Sequence, residues 1–398
     1  MKILESPLVS TAGSHGFLPP GVAFAPRVDV AQLKFLGVPE SAADTVSTTM
    51  MGLMNGRPTI RHKGGATPDS LAMIARSGID VSEDMRTFSE PEEAYRHAKS
   101  LIRDGYKLAW PYPPQKGCYR ETANLVAPRL WRKLNSKRNL PLIVPSEYLA
   151  ERTIISIDTK SVPTISTPCY LKAGGDMPTG MGYAVRYCET QADVEDAWEF
   201  FKSLGVSDEL IVEEAVPVIG CWCISLSIDD TGVRYLGAAE QLFSSPARQS
   251  GSVIDDDHPF PKEGVKVALT VGENARTMGF RGPAGMDIGV SADGRFVVFD
   301  PNFRPQGSTQ QASFHAAAAK RGGFRASRSL NVNSDLDIRG AERALRRHID
   351  SGRVVIFRAI DGREMPSVPS ASVVTGFVLG ADREDADHWH ATIMKCLD

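Results

Sequence analysis

Cysteine is scarce and scattered: six in 398 residues, Cys118, Cys169, Cys188, Cys221, Cys223 and Cys396, with no Cys-x-x-Cys among them. That excludes a disulfide scaffold and argues against a zinc ribbon. Excess positive charge is lacking too. Lys and Arg total 45 against 48 Asp and Glu, a net charge of −3. No overall footprint therefore points to nucleic acid or to an anionic membrane surface. No apolar run approaches the roughly 18–20 residues of a membrane span. The opening MKILESPLVSTAGSHG carries one early lysine and no long apolar core, unlike a secretory signal. No persuasive Ser-His-Asp or Cys-His set for nucleophilic catalysis is visible. What is there is ordinary globular composition, 42% apolar and 23% charged, at a length that suits two or three domains. These features predict a reduced, cytoplasmic, multidomain protein without nucleic-acid or membrane partners.

Residues 1–125 read as irregular, broken at Gly16, Pro19, Pro20, Gly21, Gly64 and Gly65, with one helix over 90–103. The clearest helix is 190–205. Thr190 caps it, Val194, Ala197, Trp198, Phe201 and Leu204 form a 3.6-period stripe, and Gly205 stops it. Short apolar runs at 168–172, 183–187, 210–216 and 221–228 read as strands, followed by a helix over 262–278. A helix over 337–350, strands at 353–359 and 372–379 and a helix from 382 complete the chain. Strands and helices mix without strict βαβ alternation, which favours an α+β core with an α/β flank.

The most informative stretch is 284–302. Asp293-Gly294 marks a two-residue type I′ turn. With that turn Ala292 faces Arg295 and Asp287 faces Asp300. Asn302 shares their side, and Gly285 and Gly289 leave room beside Asp287. Met286, Ile288, Val297 and Phe299 then point into a core. Two opposed carboxylates repel unless something neutralises them. Two carboxylates and an amide oxygen suit a hard cation such as Mg²⁺; a solvated face whose acids pair with Arg or Lys is the plainer alternative. On the repulsion alone, Asp300→Asn should leave the stability level or raise it.

Residues 169–185 read as strand, glycine-rich turn and strand. Gly174, Gly175, Gly180 and Gly182 permit close backbone approach to phosphate, and Lys172 ends the incoming strand. The turn matches neither a P-loop nor a dinucleotide fingerprint. Leu210-Ile-Val-Glu-Glu-Ala-Val216 is an apolar strand ending in Glu213 and Glu214, whose backbone could face a purine edge. Arg248 sits in a polar loop and suits a substrate carboxylate. Thr11-Ala-Gly-Ser-His-Gly16 follows an early apolar strand and could touch substrate. His388-x-His390 with Asp387 falls in a terminal helix where the two rings diverge, and Cys221-x-Cys223 reads as a buried cluster rather than a ligand pair.

In order and spacing these segments resemble the ATP-grasp superfamily. Asn135-Ser136-Lys137 is similar to its first lysine site and Tyr170-Leu171-Lys172-Ala173 to its second. Residues 174–182 are similar to its mobile loop, and Val212-Glu213-Glu214-Ala215-Val216 to its hinge. Asp287, Asp300 and Asn302 are similar to its metal set, and Phe299-Asp-Pro-Asn-Phe-Arg-Pro-Gln-Gly-Ser-Thr309 to its E-x-N-x-R-x-G-x-S ending. The match spans about residues 126–310. Two departures stand out: Asp300 replaces the usual Glu, and the acid that commonly binds ribose is replaced near Gly220-Cys221.

The resemblance implies two α+β subdomains clasping nucleotide, with an N-terminal α/β domain over 1–125, grasp subdomains over 126–216 and 217–315, and a C-terminal α/β extension over 316–398. It implies ATP and Mg²⁺, with Mn²⁺ as a substitute. Lys137, Lys172, Gly175, Gly180, Gly182, Glu213, Glu214 and Val216 would hold nucleotide, and Asp287, Asp300 and Asn302 would hold metal. Arg304, Lys172 and Arg248 would serve catalysis. The implied reaction activates a carboxylate as an acyl phosphate and joins it to an amine, as in stand-alone amino-acid or peptide ligases, in a chain that could form a homodimer. A small-molecule kinase and a non-catalytic nucleotide-binding regulator are the alternatives.

Overall fold

The computed structural model describes residues 7–13, 16–27, 42–114, 117–159, 161–175, 183–205 and 207–397. The segment read as irregular contains a parallel sheet. Its elements are β1 (Val22–Phe24), β2 (Pro58–His62), α1 (Pro68–Arg76), β3 (Asp84–Phe88), α2 (Pro91–Arg103) and β4 (Lys107–Ala109). Strand order is β3-β2-β1-β4, with every pair parallel. These strands span three to five residues each, too few to show a period. Helix starts are better marked. Thr67 accepts from the Ser70 N–H ahead of Pro68, and Glu90 and Glu93 form a capping box ahead of α2.

No strand forms over residues 7–10. Instead the Thr11 hydroxyl donates to the Leu236 carbonyl at 2.8 Å, which ties this segment to the large sheet described below. Ser14 and His15 lie outside the described residues.

A second sheet follows α3 (Pro128–Asn135). It comprises β5 (Arg152–Ser156), β6 (Cys169–Ala173), β7 (Val185–Cys188) and, after α4 (Gln191–Leu204), β8 (Glu209–Glu214). The order is β5-β8-β6-β7, all antiparallel. Helix α4 forms as its sequence predicts. Thr190 and Asp193 make a capping box, Gly205 ends it at φ +60°, and Val194, Ala197, Trp198 and Phe201 bury against the sheet.

The third sheet has eight strands, all antiparallel. They are β9 (Val218–Ile228), β10 (Val233–Ser245), β11 (Arg248–Asp255), β12 (Gly282–Ser291), β13 (Phe296–Asn302), β14 (Ala326–Ser334), β15 (Val354–Asp361) and β16 (Ser372–Gly380). Helices α5 (Lys262–Thr277), α6 (Thr309–Gly322), α7 (Ile338–Asp350) and α8 (Arg383–Leu397) accompany them. The order β13-β12-β9-β10-β11-β14-β16-β15 joins the strands after residue 316 directly to those before it. The 315/316 division falls inside α6. One core is shared by residues as distant as Phe17, Met73, Leu345 and Phe377.

The β12–β13 hairpin departs from its predicted turn. Ser291 N–H donates to Arg295 carbonyl at 3.0 Å and Val290 pairs with Phe296, so the loop has three residues and Gly294 takes φ +83°. Ala292 therefore does not face Arg295. A bulge then sets Ile288 against Val298 and Asp287 against Asp300, leaving Phe299 over. The extra turn residue and the bulge cancel, and the two carboxylates meet as expected. The side chains between them do not. Val298, not Val297, packs with Met286 and Ile288. The Phe299 ring instead fills the space where a Cβ on Gly289 would sit, 2.4 Å from it.

Candidate active site

Asp287 and Asp300 are direct cross-strand neighbours at the edge of the large sheet. Asp287 is half-buried, and its Oδ1 accepts from Gln241 Nε2 at 2.9 Å. Burial, then Asp300, push its carboxyl up to about 7, against the pull of Lys137, Arg304 and Gln241. Asp300 is compensated differently: Lys137 Nζ stands 2.5 Å from its Oδ1. Asn302, 6% exposed, lies opposite Gly285. Among the described residues no three His, Cys, Asp or Glu side chains converge. The donor set is two carboxylates and an amide. Mg²⁺ keeps several waters and shares its remaining positions with phosphate oxygens. A half-buried carboxyl whose negative charge is under-compensated beside a second carboxylate fits such a cation.

Cys221 and Cys223 are buried on β9, where Cys223 pairs with Asp287. Burial, then Asp287, raise both thiols, which leaves them inert at neutral pH.

Lys172, on β6, is 5% exposed and ion-pairs with Glu213 on β8. Glu213 is not a solvated strand end: it is 2% exposed, and its other oxygen meets Arg152 Nη2 at 2.8 Å. Arg152 faces Glu213 across the β5–β8 ladder and donates to the Lys137 carbonyl at 3.0 Å. Nothing in the sequence marked Arg152, because its relation to Glu213 exists only once β5 and β8 are paired. Glu214 accepts from Glu151 N–H at 3.2 Å and lies 3.7 Å from Arg295. The Val216 N–H donates to the Glu214 carbonyl at 3.1 Å. Gly180 and Gly182 lie outside the described residues.

Three consecutive residues tie these parts together. Asn135 Oδ1 accepts from Phe303 N–H at 3.0 Å and from Arg304 Nη1 at 2.9 Å. Ser136 Oγ donates to the Gly175 carbonyl at 3.2 Å. Lys137 holds Asp300. The segment valued in sequence for its lysine thus anchors the arginine, the glycine turn and the acid pair together. Arg304, 9% exposed, has no carboxylate partner among the described residues; its guanidinium lies 5.0 Å over the Tyr112 ring. A small, mostly apolar cavity opens beside it, walled by Trp110, Pro113, Leu125 and Phe303.

Arg248 stands apart. It is exposed at the start of β11, one residue after Ala247 turns the chain at φ +61°. With burial, it lowers the basicity of Arg186, so two cations share this end of the hairpin. Of the terminal residues, Asp387 is engaged by Arg328 at 2.6 Å, and burial lowers the His390 pKa.

This arrangement can hold a polyphosphate: Lys137, Arg152, Lys172 and Arg304 gather with the acid pair where the β5–β8 sheet meets the β12–β13 edge. A family model described as the L-aspartate–L-methionine ligase N-terminal domain matches residues 14–132. One described as L-aspartate–L-methionine ligase, ATP grasp, matches residues 150–302. Among solved structures, an ADP complex of N5-carboxyaminoimidazole ribonucleotide synthetase aligns at TM-score 0.57 and 13% identity, over 95% of this chain and 97% of that one. An L-amino acid ligase from Bacillus licheniformis aligns at 0.53 and 12%, over 94% and 96%. A biotin carboxylase complex from Campylobacter jejuni aligns at 0.57 and 12%, over 95% and 91%. At such identities the solved structures establish the fold, and the two family models carry the activity. The chain belongs to the ATP-grasp superfamily, among its ADP-forming carboxylate–amine ligases.

Proposed function

We propose that this ligase joins two amino acids, with L-aspartate and L-methionine as the pair to test first. The matched family models support that choice. The observation that carries the mechanism is the run Asn135-Ser136-Lys137, which connects Arg304, Gly175 and Asp300 in one segment.

In this reading ATP lies between the β5–β8 sheet and the β12–β13 edge. Lys137 and Lys172 exchange their carboxylate partners for phosphate oxygens, and the backbone at Glu214 and Val216 meets the adenine. Gly175, with Gly180 and Gly182, covers the phosphates. Asp287, Asp300 and Asn302 would hold Mg²⁺ or Mn²⁺, which supplies charge neutralisation at the phosphoryl oxygens. The substrate carboxylate attacks the γ-phosphorus and the bond to the β-phosphate oxygen breaks, releasing ADP. Arg304, preorganised by Asn135 and without an acid partner among the described residues, stabilises the transferred phosphoryl group. The amine then attacks the acyl carbon, phosphate leaves, and the amine proton passes to solvent or phosphate. Arg248, at the tip of its hairpin, would meet a substrate carboxylate. The substrates are small molecules of the cytoplasm.

The test is product analysis with ATP, Mg²⁺, L-aspartate and L-methionine. Dipeptide with equimolar ADP and phosphate is the expected result. Stoichiometric AMP would overturn the mechanism, and a stable phosphorylated product formed without an amine would favour the kinase reading. Failure of this amino-acid pair, with dipeptide from another, would overturn only the substrate choice. Arg304→Lys should lower kcat by about 100-fold or more without unfolding the chain.

A further inference from the structure

A groove of about 870 Å³ opens on the N-terminal unit, between α2, the start of β4 and the segment that follows. None of its lining residues belongs to the active-site set. Five are cations: Arg96, Lys99, Arg103, Lys107 and Arg120. None is an acid. The first three recur at spacings of three and four on one side of α2, a row about 10 Å long. Of the five, only Arg96 has an ion pair among the described residues, with Glu93 at 3.5 Å.

Exposed lysines and arginines are common and mostly solvated. Two observations separate this cluster from that background. The charges line a concavity, where a field of one sign is focused rather than dispersed. Tyr119 also lines the groove, and its hydroxyl is buried without a hydrogen-bond partner among the described residues. Its ring is fixed by stacking on Trp110, with centroids 5.5 Å apart. A buried donor left unpaired is costly, and native structures rarely keep one without a reason. An anionic oxygen would satisfy it.

We propose that this groove is a second ligand site, separate from the active site, for a small polyanion carrying two or more phosphate groups. Arginine forks grip phosphate in bidentate fashion, lysines neutralise the rest, and Tyr119 donates to one oxygen. The row of cations matches a chain of linked phosphates better than a single one.

The experiment is calorimetric titration of the full chain with inorganic tripolyphosphate in magnesium-free buffer. The wild type should bind, and binding should weaken steeply between about 0.05 and 0.5 M salt as screening lengths shrink. The double variant Lys99→Glu with Arg103→Glu should lose at least about tenfold in affinity, in keeping with charge-assisted contacts. Tyr119→Phe, which keeps the ring, should lose severalfold. The double variant should keep its ligase turnover without added polyanion. A parallel ADP titration identifies the source. ADP affinity that falls in the double variant indicates a nucleotide; ADP affinity unchanged there, with tripolyphosphate weakened, indicates a non-nucleotide phosphate chain. Equal tripolyphosphate affinity in wild type and double variant, or no binding at millimolar concentration, would overturn the site.

Discussion

Lys137 Nζ stands 2.5 Å from Asp300 Oδ1, so a lysine assigned to the nucleotide and an acid assigned to its metal neutralise each other directly. The lysine side chain is 7% exposed and the carboxylate 24%. The carboxylate that repels Asp287 therefore also satisfies a nearly buried ammonium group.

That pairing reverses the expectation for Asp300→Asn. Relief of repulsion with Asp287 would leave stability level or raise it, but the substitution also strands Lys137. Breaking a buried pair costs about 3–5 kcal/mol. With relief at Asp287 offsetting part of that, urea unfolding should show a loss of about 1–3 kcal/mol. Turnover should fall by about 100-fold or more. Unchanged stability would mean that the pair does not hold in solution.

Lys172→Ala and Glu213→Gln should separate catalysis from folding. Glu213 keeps Arg152 at 2.8 Å when Lys172 is removed. Lys172→Ala should therefore stay folded while the KM for ATP rises and turnover is lost. Glu213→Gln instead leaves two cations buried without a countercharge, and should cost about 3 kcal/mol or more by chemical denaturation.

Acid should weaken the fold through His62. Its Nδ1 accepts from Gly64 N–H at 3.0 Å, which requires an unprotonated nitrogen. Burial lowers its pKa, against Asp44. A histidine with a depressed native pKa contributes stability above its unfolded value of about 6.5, lost as pH falls through the native one. Asp287, raised by burial, has the opposite sign: its contribution improves as pH falls below about 7. The informative quantity is thus a difference in slope. His62→Gln should flatten the loss of stability between about pH 7 and pH 5 relative to wild type. Parallel curves would remove His62 from the account.

Gly289→Ala should disturb Phe299. The added methyl would fall 2.4 Å from that half-buried ring and 2.8 Å from Val218 Cγ1, so both must shift to admit it. Overpacking of this kind costs about 1–3 kcal/mol. The ring also lies 5.7 Å beneath the Lys172 ammonium, so the KM for ATP should rise as the melting temperature falls. Gly285→Ala meets the Gln306 amide, the far end of a flexible side chain, and should cost less.

Much of this was legible in residue order. Helix α4 carried its cap, stripe and stop in sequence, and Asp287 met Asp300 although the turn between them was read one residue short. Local signals fix local structure. What they could not give was pairing between distant strands: Arg152 against Glu213, or Asn135 against Arg304, becomes visible only after assembly. The parallel strands of the N-terminal unit are too short for a period, and α6 is buried almost all round, so neither shows an amphipathic pattern. Arg248, chosen for its chemistry, lies exposed beside the Ala247 turn.

The shared core has a consequence for the order in which the molecule can be made. Phe17, Val22, Met51 and Met73 pack with Leu345, Val354, Phe377 and Leu397, so residues translated first find their partners only when the last helix arrives. A ribosome adding about 5–20 residues each second leaves the early apolar surface waiting for many seconds. The β5–β8 sheet, with a core built from residues 155–212, has no such delay and can close while the rest is still being synthesised. Chains released before β16 would leave β14 without one of its two neighbours and the first core half built. Such fragments should be ready substrates for chaperones and proteases, whereas joining the two distant segments through a new linker would place early and late halves of one core side by side from the start.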